Sequence, residues 1–111
     1  MNAWITQHAR ERLQEHHPNI GTRGALALLQ AAIPVPAEVV AGFLARKDSA
    51  VQDRYLLAED RAGIFVLVHC PERAIPDVLV TYIRLGQTQQ DLAWRLYPWA
   101  GGSPILTENA A

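Results

Sequence analysis

The sequence predicts an α+β domain, with N-terminal helices packed on one face of an antiparallel β-sheet formed by the second half of the chain. Three observations carry this. Up to about residue 33 the apolar residues recur at helical spacing, whereas from about 54 to 85 they fall in short β-branched and aromatic runs. Those runs are separated by stretches of hairpin length. Half of the 111 residues are hydrophobic and 19% are charged, the composition of one ordinary globular core. Helices first and closely spaced strands afterwards is the order of an α+β plan.

Residues 6–17 read as the first helix. Thr6 is its N-cap, with a hydroxyl placed to accept from a free N–H of the first turn. Ile5, Ala9 and Leu13 form an apolar stripe, and His8, Arg12 and His16 form a polar line beside it. Pro18 and Gly21 end the segment. Thr22 caps a second helix over about 23–33, in which Leu26, Leu29 and Ile33 keep helical spacing and residues 25–32 are all good helix formers. Pro34 stops it. Pro36 is suited to open a further short helix. Residues 37–44 fit either a helix or a turn leading into a strand.

After Asp48 and Ser49 the period changes. Residues 54–59 are a short strand, and Asp60 to Gly63 carry the Asp and Gly chemistry of a hairpin turn. Residues 64–70 are dense in β-branched and aromatic side chains, the pattern of a strand buried on both faces. A proline-bounded loop over 71–76 leads to a strand over 77–85, which Gly86 breaks. Thr88 is suited to cap a final turn or helix through Leu96. Residues 1–98 are expected to form a single domain, and 99–111, with Gly101, Gly102 and Pro104, a flexible tail.

Composition narrows the function. Cys70 is the only cysteine, so no intrachain disulfide forms, and a reducing compartment fits. The N-terminus has no apolar signal-peptide core. The longest near-apolar stretch, about 31–44, is broken by Pro34, Pro36 and Glu38 and cannot span a bilayer. These points predict a cytoplasmic protein without a membrane partner. No metal is expected, since neither Cys-x-x-Cys, His-Glu-x-x-His nor clustered carboxylates appear. No cofactor is expected either, because no phosphate loop or dinucleotide fingerprint occurs. The formal charge of −1 excludes a broadly basic nucleic-acid surface. A local basic face remains, since Arg10, Arg12 and Arg23 lie near the start with three of the four histidines.

In the strand over 77–85, Val78, Val80, Tyr82 and Arg84 alternate with Leu79, Thr81, Ile83 and Leu85. The second set is more apolar and is assigned to the core, which leaves Tyr82 and Arg84 on an open face. Arginine offers a planar fork of donors to a phosphodiester, and tyrosine a hydroxyl and a stacking surface. The same residues also fit an ordinary solvated strand. In the first helix, His8 and His16 offer acid–base groups, and Arg12 offers a cation for the charge of a pentacoordinate phosphate. A solvated helix face accounts for the same line. His69 fits a partly buried, hydrogen-bonded imidazole or a substrate-binding group. Trp4, Trp94 and Trp99 are assigned to core or rim packing.

The segment Ile5-Thr6-Gln7-His8-Ala9-Arg10-Glu11-Arg12-Leu13 resembles the opening of small domains in the barnase–EndoU–colicin–RelE group. Its phage-type branch is similar further on. There a His-Pro follows the first helix (here His17-Pro18), a helix runs into a proline (Leu29 to Pro36), and a late strand carries a Thr-Tyr pair (Thr81-Tyr82). The resemblance covers roughly residues 4–97. It implies a metal-free ribonuclease of toxin or phage-associated type acting on single-stranded RNA or tRNA. The site it implies comprises His8, Arg12, Thr81 and Tyr82, to which the strand-facing argument adds Arg84. It also implies an antitoxin-like protein partner, or an inactive module of the same fold that binds one. Strand alternation puts Thr81 and Tyr82 on opposite faces, so a shared cleft requires a twist or a bulge.

Overall fold

A computed structural model describes residues 2–44 and 53–98. The elements are β1 (Trp4–Ile5), α1 (Gln7–His16), α2 (Thr22–Ala31), β2 (Ile33–Val35), α3 (Ala37–Leu44), β3 (Asp53–Leu57), β4 (Gly63–His69), β5 (Asp77–Arg84) and α4 (Gln87–Leu96). The strands form one five-stranded sheet in the order β1-β5-β4-β3-β2. β2, β3, β4 and β5 pair antiparallel, and β1 runs parallel to β5. The α+β class holds, with the N-terminal helices α1 and α2 on one face.

The helix boundaries follow local chemistry. Thr6 is the α1 N-cap, and its hydroxyl accepts from the Ala9 N–H at 3.1 Å. His17 closes the helix by donating its N–H to the Leu13 carbonyl at 2.7 Å, just ahead of Pro18, which disfavours helical backbone before it. At α2 the cap is Gly21, and Thr22 is already helical. The Thr22 hydroxyl instead accepts from the Arg10 guanidinium at 2.8 Å. At α4, Gly86 precedes the helix and donates its N–H to the Gln89 side chain at 2.6 Å, so Thr88 is not the cap. Residues 37–44 are helix, with Val39 and Val40 donating to the Pro36 carbonyl.

Two strands depart from the expectation that the second half alone forms the sheet. Ile33, assigned to α2 by spacing, belongs to β2. Pro34 pushes the preceding residue towards extended backbone, and Ile33 and Val35 then alternate into the core around the exposed Pro34. β1 is two residues long, held where the Thr6 N–H donates to the Leu79 carbonyl at 3.2 Å.

The sheet is covered on both faces, not on one. Ala9 and Leu13 of α1, with Ala25 and Leu29 of α2, pack on Leu56, Phe65, Leu67, Leu79 and Tyr82. On the opposite face Val40 of α3 and Ala93 of α4 pack with Ile33, Tyr55, Leu57, Ile64, Val66 and Leu85. Fully burying a side chain such as Leu13 on one face or Leu57 on the other contributes about 1.5–3 kcal/mol, so each layer has its own apolar anchor. β4 passes between both layers, and its first five residues are buried, as its uninterrupted apolar run predicts. The open sheet face assigned to a ligand is therefore absent among the described residues. Residues 99–111, expected to be a flexible tail, and Trp99 lie outside the described residues. Trp4 and Trp94 are about half exposed and belong to the rim.

Candidate functional site

β5 contains a bulge. Val66 of β4 pairs with Thr81 while the next residue, Leu67, pairs with Leu79, so Val80 is the extra residue. A bulge bends the strand and breaks its strict alternation. Tyr82 consequently lies on the same face as Leu79 and is only 4% exposed. The assignment of Tyr82 to an open face is thereby corrected, whereas Arg84 is exposed.

Among the described residues no strand continues along this edge of β5 beyond Ile5, and α1 lies against it. A cleft of about 330 Å³ opens between the two elements. Arg12, Glu15 and His16 contribute from α1, and Thr81, Tyr82, Ile83 and Arg84 from β5. Thr81 and Tyr82 thus share one cleft despite being adjacent in a strand. His8 does not line the cleft but meets it at Thr81, its Nε2 lying 3.1 Å from the threonine hydroxyl. The Thr6 hydroxyl donates to the carbonyl of the bulged Val80 at 3.2 Å, tying the start of α1 to the bulge.

The cleft has two guanidiniums against one carboxylate. Arg12 pairs with Glu15 at 2.9 Å, with both side chains about half exposed or more, so the pair is weakly held. Glu15 is a cleft carboxylate that the sequence reading did not single out. Its i,i+3 spacing from Arg12 was the available signal. Tyr82 is the unusual group. Its hydroxyl is buried without a hydrogen-bond partner among the described residues. Burial raises its pKa, the nearby Asp60 adds to the rise and Arg84 opposes it. The phenol therefore stays protonated at neutral pH and can serve as a hydrogen-bond donor, not as a base. Gly63, opposite on β4, makes room for the ring, since a Cβ there would collide with the Tyr82 ring and hydroxyl.

The turn beside the cleft is fixed by Arg61. This residue has a left-handed φ of 60° and is fully buried. Its guanidinium donates to the Glu59 and Tyr97 carbonyls and lies 4.1 Å from the Trp94 ring centroid. Asp60 in the same turn accepts from the Ala62 N–H at 2.9 Å through Oδ1. Its Oδ2 lies 3.9 Å from His16 Nε2.

His69 is not in this site. It stands at the far end of β4, opposite Asp77, with its side chain about half exposed rather than partly buried. Its Nδ1 is 3.1 Å from Asp77, which also pairs with Arg54 at 3.0 Å. The hydrogen bond with His69 holds the Asp77 carboxyl below the usual aspartate range; burial opposes it, and the charge of Arg54 adds to the lowering.

No known family matches the chain, and neither the curated proteins nor the solved structures contain a match to it. The functional reading accordingly rests on the cleft. No helix among the described residues is long and apolar enough to cross a membrane.

Proposed function

We propose that the α1–β5 cleft binds a phosphodiester and that the chain is a ribonuclease of the toxin or phage-associated kind. The observation that carries this reading is the convergence of Arg12, His16, Thr81 and Arg84 on one cleft, with His8 hydrogen-bonded to Thr81 at its rim. Arg12 and Arg84 supply paired donors and positive charge for a phosphate whose charge rises in the transition state. Tyr82 adds a neutral donor.

RNA supplies its own nucleophile. The 2′-oxygen attacks the adjacent phosphorus, the P–O2′ bond forms, the P–O5′ bond breaks, and a 2′,3′-cyclic phosphate remains. One group must take the 2′-hydroxyl proton and another must return a proton to the departing 5′-oxygen. His8 and His16 stand one turn to either side of Arg12 on α1, about 6 Å of helix rise each way. That arrangement puts an imidazole on both sides of the phosphate-binding position.

A second reading, an inactive module of the same fold that docks an antitoxin-like or other protein, draws on the exposure of Trp4, Trp94 and Leu96. Incubation of the purified chain with cellular RNA in EDTA separates the two. Cleavage to cyclic-phosphate ends, lost in both His8→Ala and Arg12→Ala, is the expected result. Intact RNA with a folded wild-type protein would overturn the ribonuclease reading and leave the docking module.

A further inference from the structure

Behind the cleft, where the C-terminus of α1 meets the β3–β4 turn, three metal-ligating side chains converge. His16, His17 and Asp60 each offer one ligand atom, and these atoms lie within 4.8 Å of one another. We propose that His16, His17 and Asp60 form a binding site for a zinc-type divalent cation, with the Tyr82 hydroxyl facing the cation's remaining coordination position.

The donor set is the first argument. Two imidazole nitrogens and one carboxylate oxygen are the ligands that a borderline cation such as Zn²⁺ takes, and three protein ligands leave a fourth position for water. The ligand atoms, within 4.8 Å of one another, stand wider than the roughly 3.3 Å between ligands of a tetrahedral zinc site, so binding draws them in by rotation of the two imidazoles, which pack edge to face at 4.7 Å.

The backbone beneath the ligands is already fixed. The His17 N–H donates to Leu13, and its carbonyl accepts from Ile20 at 3.0 Å. Asp60 has Oδ1 committed to Ala62, which leaves Oδ2 directed at His16. An outer hydrogen bond of this kind orients a ligating carboxylate.

The independent observation is Tyr82. A cavity of about 80 Å³ is lined by His17, Asp60 and Tyr82, together with Phe65 and Leu28. The tyrosine is 4% exposed, and its hydroxyl has no partner among the described residues. Leaving a buried hydroxyl without a partner is unfavourable, and a water bound to a cation between His17 and Asp60 would supply that partner. The volume suits an ion with one or two waters, given about 30 Å³ for each water.

The other histidine–aspartate pair lacks these features. Asp77 is already shared by His69 and Arg54, and a cation there would have to displace the guanidinium.

The cation would share His16 and Tyr82 with the phosphodiester cleft, but the two readings fail separately, because the metal test uses Zn²⁺ alone and the cleavage assay runs in chelator. Calorimetric titration of the full chain with Zn²⁺, beside NMR of the four histidine side chains, is the experiment. The expected result is one equivalent bound, with the His16 and His17 signals shifted and those of His8 and His69 unmoved. Asp60→Asn keeps the oxygen that accepts from Ala62, so the turn should survive. Both it and His17→Gln should weaken binding by at least about tenfold while circular dichroism stays unchanged. The absence of one-to-one binding, equal affinity in both variants, or shifts confined to His8 or His69 would each overturn the proposal.

Discussion

A histidine–aspartate pair lies near each end of the β4–β5 hairpin, one on the strands themselves and one between α1 and the β3–β4 turn, and the two differ in what surrounds them. At one end His69 and Asp77 lie 3.1 Å apart, with Arg54 completing the group and solvent around it. At the other, His16 and Asp60 stand 3.9 Å apart beside a buried tyrosine hydroxyl with no partner among the described residues. The first group is satisfied within itself and belongs to the sheet's surface. The second leaves donor and acceptor capacity unspent, next to two arginines and a cleft. Unsatisfied buried polarity is costly, and it marks places where a fold has been shaped for something other than its own stability.

Four substitutions distinguish the two ends. The largest effect is expected on chemistry. Arg12→Ala should lower RNA cleavage by about 100-fold or more with little change in thermal stability, since its ion pair with Glu15 is exposed. Parallel assays of cleavage and melting temperature check both halves. A variant that melts early but cleaves normally would reassign Arg12 to structure.

Next comes Gly63→Ala. The added methyl would meet the Tyr82 ring and hydroxyl, and overpacking of this kind costs about 1–3 kcal/mol. Urea denaturation should report that loss, and cleavage should fall with it because Tyr82 lines the cleft. Full stability in this variant would mean that the ring moves aside at no cost.

Tyr82→Phe should act in the opposite direction on stability. Removing a buried hydroxyl that lacks a partner leaves the packing with Phe65 in place and should stabilise the fold by about 1 kcal/mol. A gain in stability with a loss of cleavage is the trade-off expected of a functional group. A loss of stability would show that the hydroxyl has a partner in solution.

The smallest effect belongs to the opposite end. Asp77 has a depressed pKa in the folded state. Its contribution to stability is therefore fully present above the ordinary aspartate value of about 3.9 and is lost as pH falls through the depressed value. Because the group is partly exposed and its partners are more so, Asp77→Asn should cost less than about 1 kcal/mol at neutral pH. Denaturation curves of the variant and wild type should converge in acid and should leave cleavage untouched.

How much of this was legible in the sequence depends on range. α1, α2 and the three long strands follow from periodicity and from proline and glycine punctuation, because those signals are local, whereas residues 37–44 and 88–96 fit a helix or a turn alike. β1 and β2 were not legible, since two and three residues carry no period, and Ile33 fits helical and extended spacing equally well. The Val80 bulge decided the site. Without it Tyr82 would point away from Leu79. Nothing in Val80-Thr81-Tyr82 announces a bulge, which arises from how β5 meets β4 and α1. His8, Arg12 and Arg84 were named from residue chemistry and Thr81 from the family resemblance, and the fold gathers them around α1 and β5. Glu15 and Asp60 were missed because their meaning comes from neighbours brought close only by folding, as with His16 and Asp60, which lie far apart in the chain. His69 was singled out by type alone, and it lies at the wrong end of the hairpin.

The central claim is that the two ends of the hairpin divide into a functional end and a structural one. Backbone amide NMR during titration with a short single-stranded oligoribonucleotide tests it most directly. The account predicts shifts along Arg12 to His16 and Thr81 to Arg84, with His69, Asp77 and Arg54 unmoved. Shifts centred on His69 and Asp77, or none at saturating oligonucleotide, would contradict it.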